Sequence, residues 1–182
     1  MISKTARSFI ARSRYWLVKE YPIKLGHCIY ALPQSAVWSR ANPGSNSIGN
    51  LIIHLAGNVT EWIIGGVGGK PFERNREEEF ARQTGGSGAD LLAGLETVLR
   101  EADAVLAGLT EADLERSIVI QGRETTVLGA IYHVVEHFAM HTGQIILLTK
   151  IQSPGAIRFY DDAGPLAKPL WHRDKGLDEA AH

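Results

Sequence analysis

Apolar positions in the first thirty residues recur at helical intervals: Phe9, Ile10, Trp16, Leu17, Ile23, Leu25 and Ile29, with Ser13 on the same stripe. The spacing predicts one long helix from Ser3 to about Ala31, kinked or broken near Tyr21 because Pro22 has no backbone N–H to donate. Pro33, Pro43, Gly44 and the polar run Ser45-Asn46-Ser47 make residues 32–46 a loop that ends in a helix cap. A second helix follows from Ile48 to Val67, with Leu51, Ile52, Leu55, Val59, Trp62 and Ile63 at steps of three and four, and stops in a glycine cluster. Residues 68–87 are charged and glycine-rich and read as a solvated loop or short surface helix. Ser87 and Asp90 form a capping box for a third helix that carries Leu92, Leu95, Leu99, Ala102 and Leu106. Thr110 to Asp113 repeats the capping pattern, and residues 117–124 form at most a small hairpin turning at Gly122. Thr125 or Thr126 caps a fourth helix that stays apolar to about Ile151. The expected fold is all-α: a four-helix bundle over residues 1–152 with a short hairpin before the last helix. An irregular Pro-containing tail, residues 153–182, packs on the same domain and frays at its end.

Composition narrows the function classes. The chain has 182 residues with 19 Lys+Arg against 20 Asp+Glu, a formal net charge of -1, and no basic cluster. A nucleic-acid partner is therefore not expected, since phosphate contacts need an excess of cations. No apolar run approaches the roughly 18 residues of a membrane span, so no membrane partner is expected either. The single cysteine, Cys28, excludes an intrachain disulfide, and with no secretory pattern at the N-terminus the expected location is the reducing cytoplasm. Cys28 beside His27 is not a nucleophile–base pair, because neighbours on a helix point about 100° apart.

The chemistry-bearing signal is histidine. His133, His137 and His141 fall at i, i+4 and i+8 on the fourth helix, so they share one stripe bordering the apolar arc of Ala130, Val134, Ile145 and Leu148. Two histidines one turn apart can chelate an ion at about 2.0–2.1 Å, but three along roughly 12 Å of helix cannot converge, so a further ligand must come from another helix. His54, in the apolar middle of the second helix, is the candidate. Spacing alone leaves open whether the pair is 133 with 137 or 137 with 141. Three neutral imidazoles leave coordination positions free, which is the catalytic pattern. Phe138 after His137 removes the HExxH motif and with it a zincin-type protease.

The stretches NSIGNLIIHLAGNVTEW and HVVEHFAMHTGQI together resemble the DinB/YfiT-like superfamily of metal-dependent enzymes, notably its subfamilies whose second helix reads IGNLxxHLxGN. The resemblance spans roughly residues 1–152 and implies a divalent metal held by His54, His137 and His141 within a four-helix bundle. Zinc is the first expectation, with nickel, iron or manganese as alternatives. His133 then lies one turn away, as a group that supports a ligand, a proton shuttle or a hydrogen-bonded core residue. Asn58, one turn after His54, and Gln144, one turn after His141, are placed to orient a ligand imidazole or bound water. Glu61 and Glu136 read as solvated and receive no role.

Characterised members of the superfamily include thiol-dependent transferases and an isomerase, so the resemblance implies a small-molecule substrate, with a low-molecular-weight thiol as one partner. Thiol S-transfer or hydrolysis are the expected reactions, and a homodimer is the expected assembly. The competing expectation is a non-catalytic bundle that uses the histidines for a structural metal or a small ligand.

Overall fold

The computed structural model describes residues 3–171. Helix α1 (Lys4–Tyr15) starts on the Ser3 side chain, which accepts from the amide of Ala6. It runs through a π-helical segment (Trp16–Glu20) directly into α2 (Tyr21–Tyr30). Of the expected kink or break near Tyr21, the break is not made. Pro22 sits in the first turn of α2, and the amide of Tyr21 bonds five residues back to the carbonyl of Trp16. Widening the turn ahead of the proline lets helical hydrogen bonding continue despite its missing donor.

Ser47 and Asn50 form a capping box at the start of α3 (Ile48–Val59), and a second π segment (Thr60–Val67) extends this rod to the glycine cluster. Within the stretch read as solvated, Asn75 caps the short helix α4 (Arg76–Ala81). Helices α5 (Gly88–Ala107) and α6 (Glu111–Glu115) both begin on capping boxes, at Ser87 and Thr110. Strands β1 (Ser117–Ile120) and β2 (Arg123–Thr126) pair antiparallel around Gln121 and Gly122, whose φ angles of 53° and 72° give the tight turn a left-handed backbone. Thr126 caps α7 (Val127–Gln152).

The protein is mostly helical, and four rods close a ring: α2 packs on α7 and α5, and α3 packs on the other faces of the same two helices. Leu25, Leu55, Leu95, Ile131 and Phe138 meet in the centre with almost no exposed surface, and Phe138 stacks on Tyr21 with ring centres 5.1 Å apart. Residues 153–171 are not wholly irregular. Strands β3 (Tyr160–Asp161) and β4 (Lys168–Pro169) form a two-residue ladder that seats Phe159 and Trp171 in the core. The Trp171 indole donates to the buried Glu20 carboxylate in the first π segment at 2.9 Å. The fraying expected at the end of the tail falls largely on residues 172–182, outside the described residues. Among the described residues no helix is long and apolar enough to cross a membrane.

Candidate metal centre

His54 projects from the middle of α3, and His137 and His141 project from successive turns of α7, which packs against it. Their Nε2 atoms converge: His54 lies 3.1 Å from His137, and His137 lies 3.1 Å from His141. His54 and His141 are buried, at 4% and 8% exposure, and His137 is partly covered.

The opposite ring nitrogens fix the tautomers. His54 Nδ1 meets the Glu79 carboxylate at 2.8 Å, and His141 Nδ1 meets Gln144 Oε1 at 2.7 Å. Arg74 Nη2 also lies 3.2 Å from His54 Nδ1, but it donates at 2.9 Å to the same Glu79 Oε2, and the closer Glu79 oxygen, like Gln144 Oε1, can only accept. Each Nδ1 is therefore assigned the proton, and each Nε2 directs a lone pair at His137. A proton on His137 Nε2 can satisfy only one of them, and His137 Nδ1 is buried without a partner among the described residues. Three clustered ring nitrogens, at least two of them acceptors, are poorly satisfied by each other and well satisfied by a cation. The two 3.1 Å separations from His137, with all three nitrogens within 4.8 Å of one another, suit ligands each about 2.0–2.1 Å from a shared ion. The three residues could hold a metal ion.

Burial holds the His137 and His141 rings neutral. The His137 ring is pushed down to about 3, first by burial and then by His141, His54, His133 and Arg74, and burial also lowers His141. The Glu79 carboxyl is pushed up by burial, but hydrogen bonds from Arg74 and His54 outweigh this and hold it below the usual 4.5. All three groups therefore bind fewer protons in the folded than in the unfolded state over part of the acid range. The stability they contribute is complete above pH 6.5. It is lost as pH falls from 6.5 toward 3 for the histidines, with a further loss below 4.5 from Glu79. Melting of chelator-treated protein should show the midpoint dropping from pH 7.5 to pH 5, and a flat midpoint over that interval would contradict the assignment.

The other expected site residues are distributed unevenly. Gln144 touches His141. Asn58 is buried on α3, but its Oδ1 has no partner among the described residues and it makes no bond to any of the three imidazoles. His133 stacks on Trp62 with ring centres 4.0 Å apart, and its ring lies 5.5 Å from that of His137, outside the converging trio. Of the two carboxylates read as solvated, Glu136 is exposed, whereas Glu61 accepts from Arg74 Nη1 at 2.6 Å with its side chain 16% exposed. Glu61 is corrected accordingly: a cation from the loop covers it. Cys28 is fully buried and burial pushes its thiol up to about 11, which leaves it protonated.

Two residues of the site escaped sequence reasoning altogether. Arg74 and Glu79 come from the segment read as solvated, yet both side chains are only 7% exposed. Their guanidinium–carboxylate pair is two-pronged, Nε to Oε1 at 2.6 Å and Nη2 to Oε2 at 2.9 Å. The available signal was Asn75, a helix cap ahead of Glu77 to Glu79, which marks a short helix but not its partner.

Comparison with solved structures places this architecture. A DinB-like protein from Bacillus cereus ATCC 10987 aligns at 20% identity and TM-score 0.63, over 80% of this chain and 94% of its own. YfiT from Bacillus subtilis, described as a probable metal-dependent hydrolase with an unusual four-helix bundle topology, aligns at 18% identity and TM-score 0.64, over 83% of this chain and 90% of its own. The DinB-like protein YjoA from Bacillus subtilis aligns at 17% identity and TM-score 0.61, over 81% and 96%. No curated protein matches the chain. Residues 4–158 match the family described as "Protein of unknown function (DUF1572)", so the chain, a DinB/YfiT-like helical bundle, belongs to the DUF1572 family.

Proposed function

We propose that the protein is a metal-dependent enzyme acting on a small molecule, with the ion held by His54, His137 and His141. The observation that carries this reading is the convergence of three imidazoles, with His137 Nε2 at 3.1 Å from the Nε2 of both His54 and His141 and the Nδ1 atoms of those two directed at Glu79 and Gln144 behind. A dication held by these neutral imidazoles would keep its full charge and would favour the deprotonated, nucleophilic form of water or a thiol at neutral pH. The chain's own contribution is positional. Glu79 and Gln144 orient two of the imidazoles, Phe80 covers the His54 ring at 4.6 Å, and Trp62 with His133 forms a wall beside His137. Hydrolysis is the favoured reaction because YfiT, a structural neighbour, is described as a probable metal-dependent hydrolase. S-transfer from a low-molecular-weight thiol is the second reaction for the same site. Zinc is the proposed ion, and a reducing cytoplasm suits both such a thiol and the unpaired Cys28.

The test is exchangeability at the ion. Cobalt(II)-substituted protein should change its visible spectrum on addition of small anions or a thiol, because open positions accept them. A spectrum indifferent to every such ligand, with stability lost on chelation, would replace the enzyme by a bundle carrying a closed structural metal.

A further inference from the structure

We infer that Glu79 is the positioning residue of the His54 ligand, and that Arg74, Asn50 and Gly57 serve to set Glu79 in place; this rests on the metal-site reading above. The carboxylate is filled from both sides. Oε2 accepts from His54 Nδ1 at 2.8 Å and from Arg74 Nη2 at 2.9 Å, while Oε1 accepts from Arg74 Nε at 2.6 Å. A carboxylate gripped in this fork cannot rotate away from the imidazole. Arg74 is itself anchored, since its Nη1 donates to Glu61 at 2.6 Å and Gln121 of the hairpin donates to the same Glu61 oxygen at 2.8 Å.

The backbone around Glu79 is fixed with equal care to the helix that carries the ligand. Asn50, one turn before His54 and fully buried, donates from Nδ2 to the carbonyls of Glu79 at 2.8 Å and Arg82 at 2.7 Å. Ligand and positioning residue are therefore referenced to one helix. Gly57, on the next turn, completes the seat: a Cβ there would collide with the Glu79 carboxylate and come within 2.8 Å of Arg74 Nε. Glycine is needed at this position to let the ion pair lie against α3.

This arrangement makes the three imidazoles unequal. His141 is backed by a neutral amide, His137 Nδ1 has no partner among the described residues, and His54 alone is backed by a carboxylate. Glu79 thus locks His54 in the Nδ1–H form and raises the donor strength of its Nε2, as carboxylates behind metal-binding histidines do.

Two readouts on purified full-length protein test this, with zinc as the probe. In metal-free protein, long-range nitrogen–proton spectra should show His54 as a single Nδ1–H tautomer. Glu79→Ala and Gly57→Ala should both lose that single state and weaken zinc, measured by competition with a chromophoric chelator, by about 10- to 100-fold. Glu79→Gln should keep the tautomer, because its amide oxygen still accepts, and lose less affinity. Circular dichroism checks folding, and if Glu79→Ala does not fold, Gly57→Ala decides. Unchanged tautomer and zinc affinity in a folded Glu79→Ala or Gly57→Ala variant would overturn the inference. A wild-type protein that binds no zinc would instead defeat the metal-site reading, while the metal-free spectra would still decide the role of Glu79.

Discussion

Replacing His137 by alanine should abolish stoichiometric metal binding while leaving the bundle helical. His137 Nε2 stands 3.1 Å from both other donors and is the nitrogen that links them, so its loss leaves two imidazoles on different helices with no third ligand. Metal content by plasma mass spectrometry should fall from about one ion per chain to a trace. The stabilisation from excess zinc, about 2.7 kcal/mol at a hundred times the dissociation constant, should disappear from the melting curve. The fold should persist because the neighbouring core residues Val134 and Phe138 are untouched and fully buried. His133→Ala is the matched control: its ring stacks on Trp62 outside the trio, so the variant should keep its ion. A His137→Ala protein that retains a full complement of metal would remove the proposed centre.

The contrast between His137 and Glu79 shows where sequence reasoning stops. Histidines at i, i+4 and i+8 on an apolar helix announce themselves by local periodicity, and the same periodicity places His54 inside the second rod. Caps were equally legible, since Ser47, Ser87 and Thr110 each lie three residues from the side chain that completes the box. Arg74 and Glu79 lie in a run of charges, and nothing local distinguishes a charge that faces water from one that closes over a histidine 25 residues away. Glu61 was obscured in the same way, its partner being 13 residues downstream. The two π segments were hidden for a different reason. One extra residue in a turn shifts the apolar stripe by an amount that an approximate 3.6-residue pattern absorbs, so only Pro22 hinted at the first.

Because Arg74 is the cation shared by two covered carboxylates, Arg74→Met should be among the most destabilising substitutions outside the apolar core. It leaves two covered carboxylates, with side chains 16% and 7% exposed, only the neutral Gln121 and His54 as partners among the described residues, and a buried charge stripped of its cation typically costs 3–5 kcal/mol, so a loss of about that size is expected. Denaturant unfolding of metal-free protein at pH 7.5 measures it. The effect should shrink in acid, because a variant without the guanidinium can relieve the buried Glu79 charge by protonation, whereas in the wild type Arg74 holds Glu79 ionised. Arg14→Met supplies the scale. Its pair with Asp103 has nearly the same N–O distance, 2.6 Å, but side chains 37% and 28% exposed, and such pairs are worth about 0–1 kcal/mol. Equal losses in the two variants would mean that the Glu61–Arg74–Glu79 network is open to water in solution. The loop would then be no fixed support for His54, and the positioning role of Glu79 would fall with it.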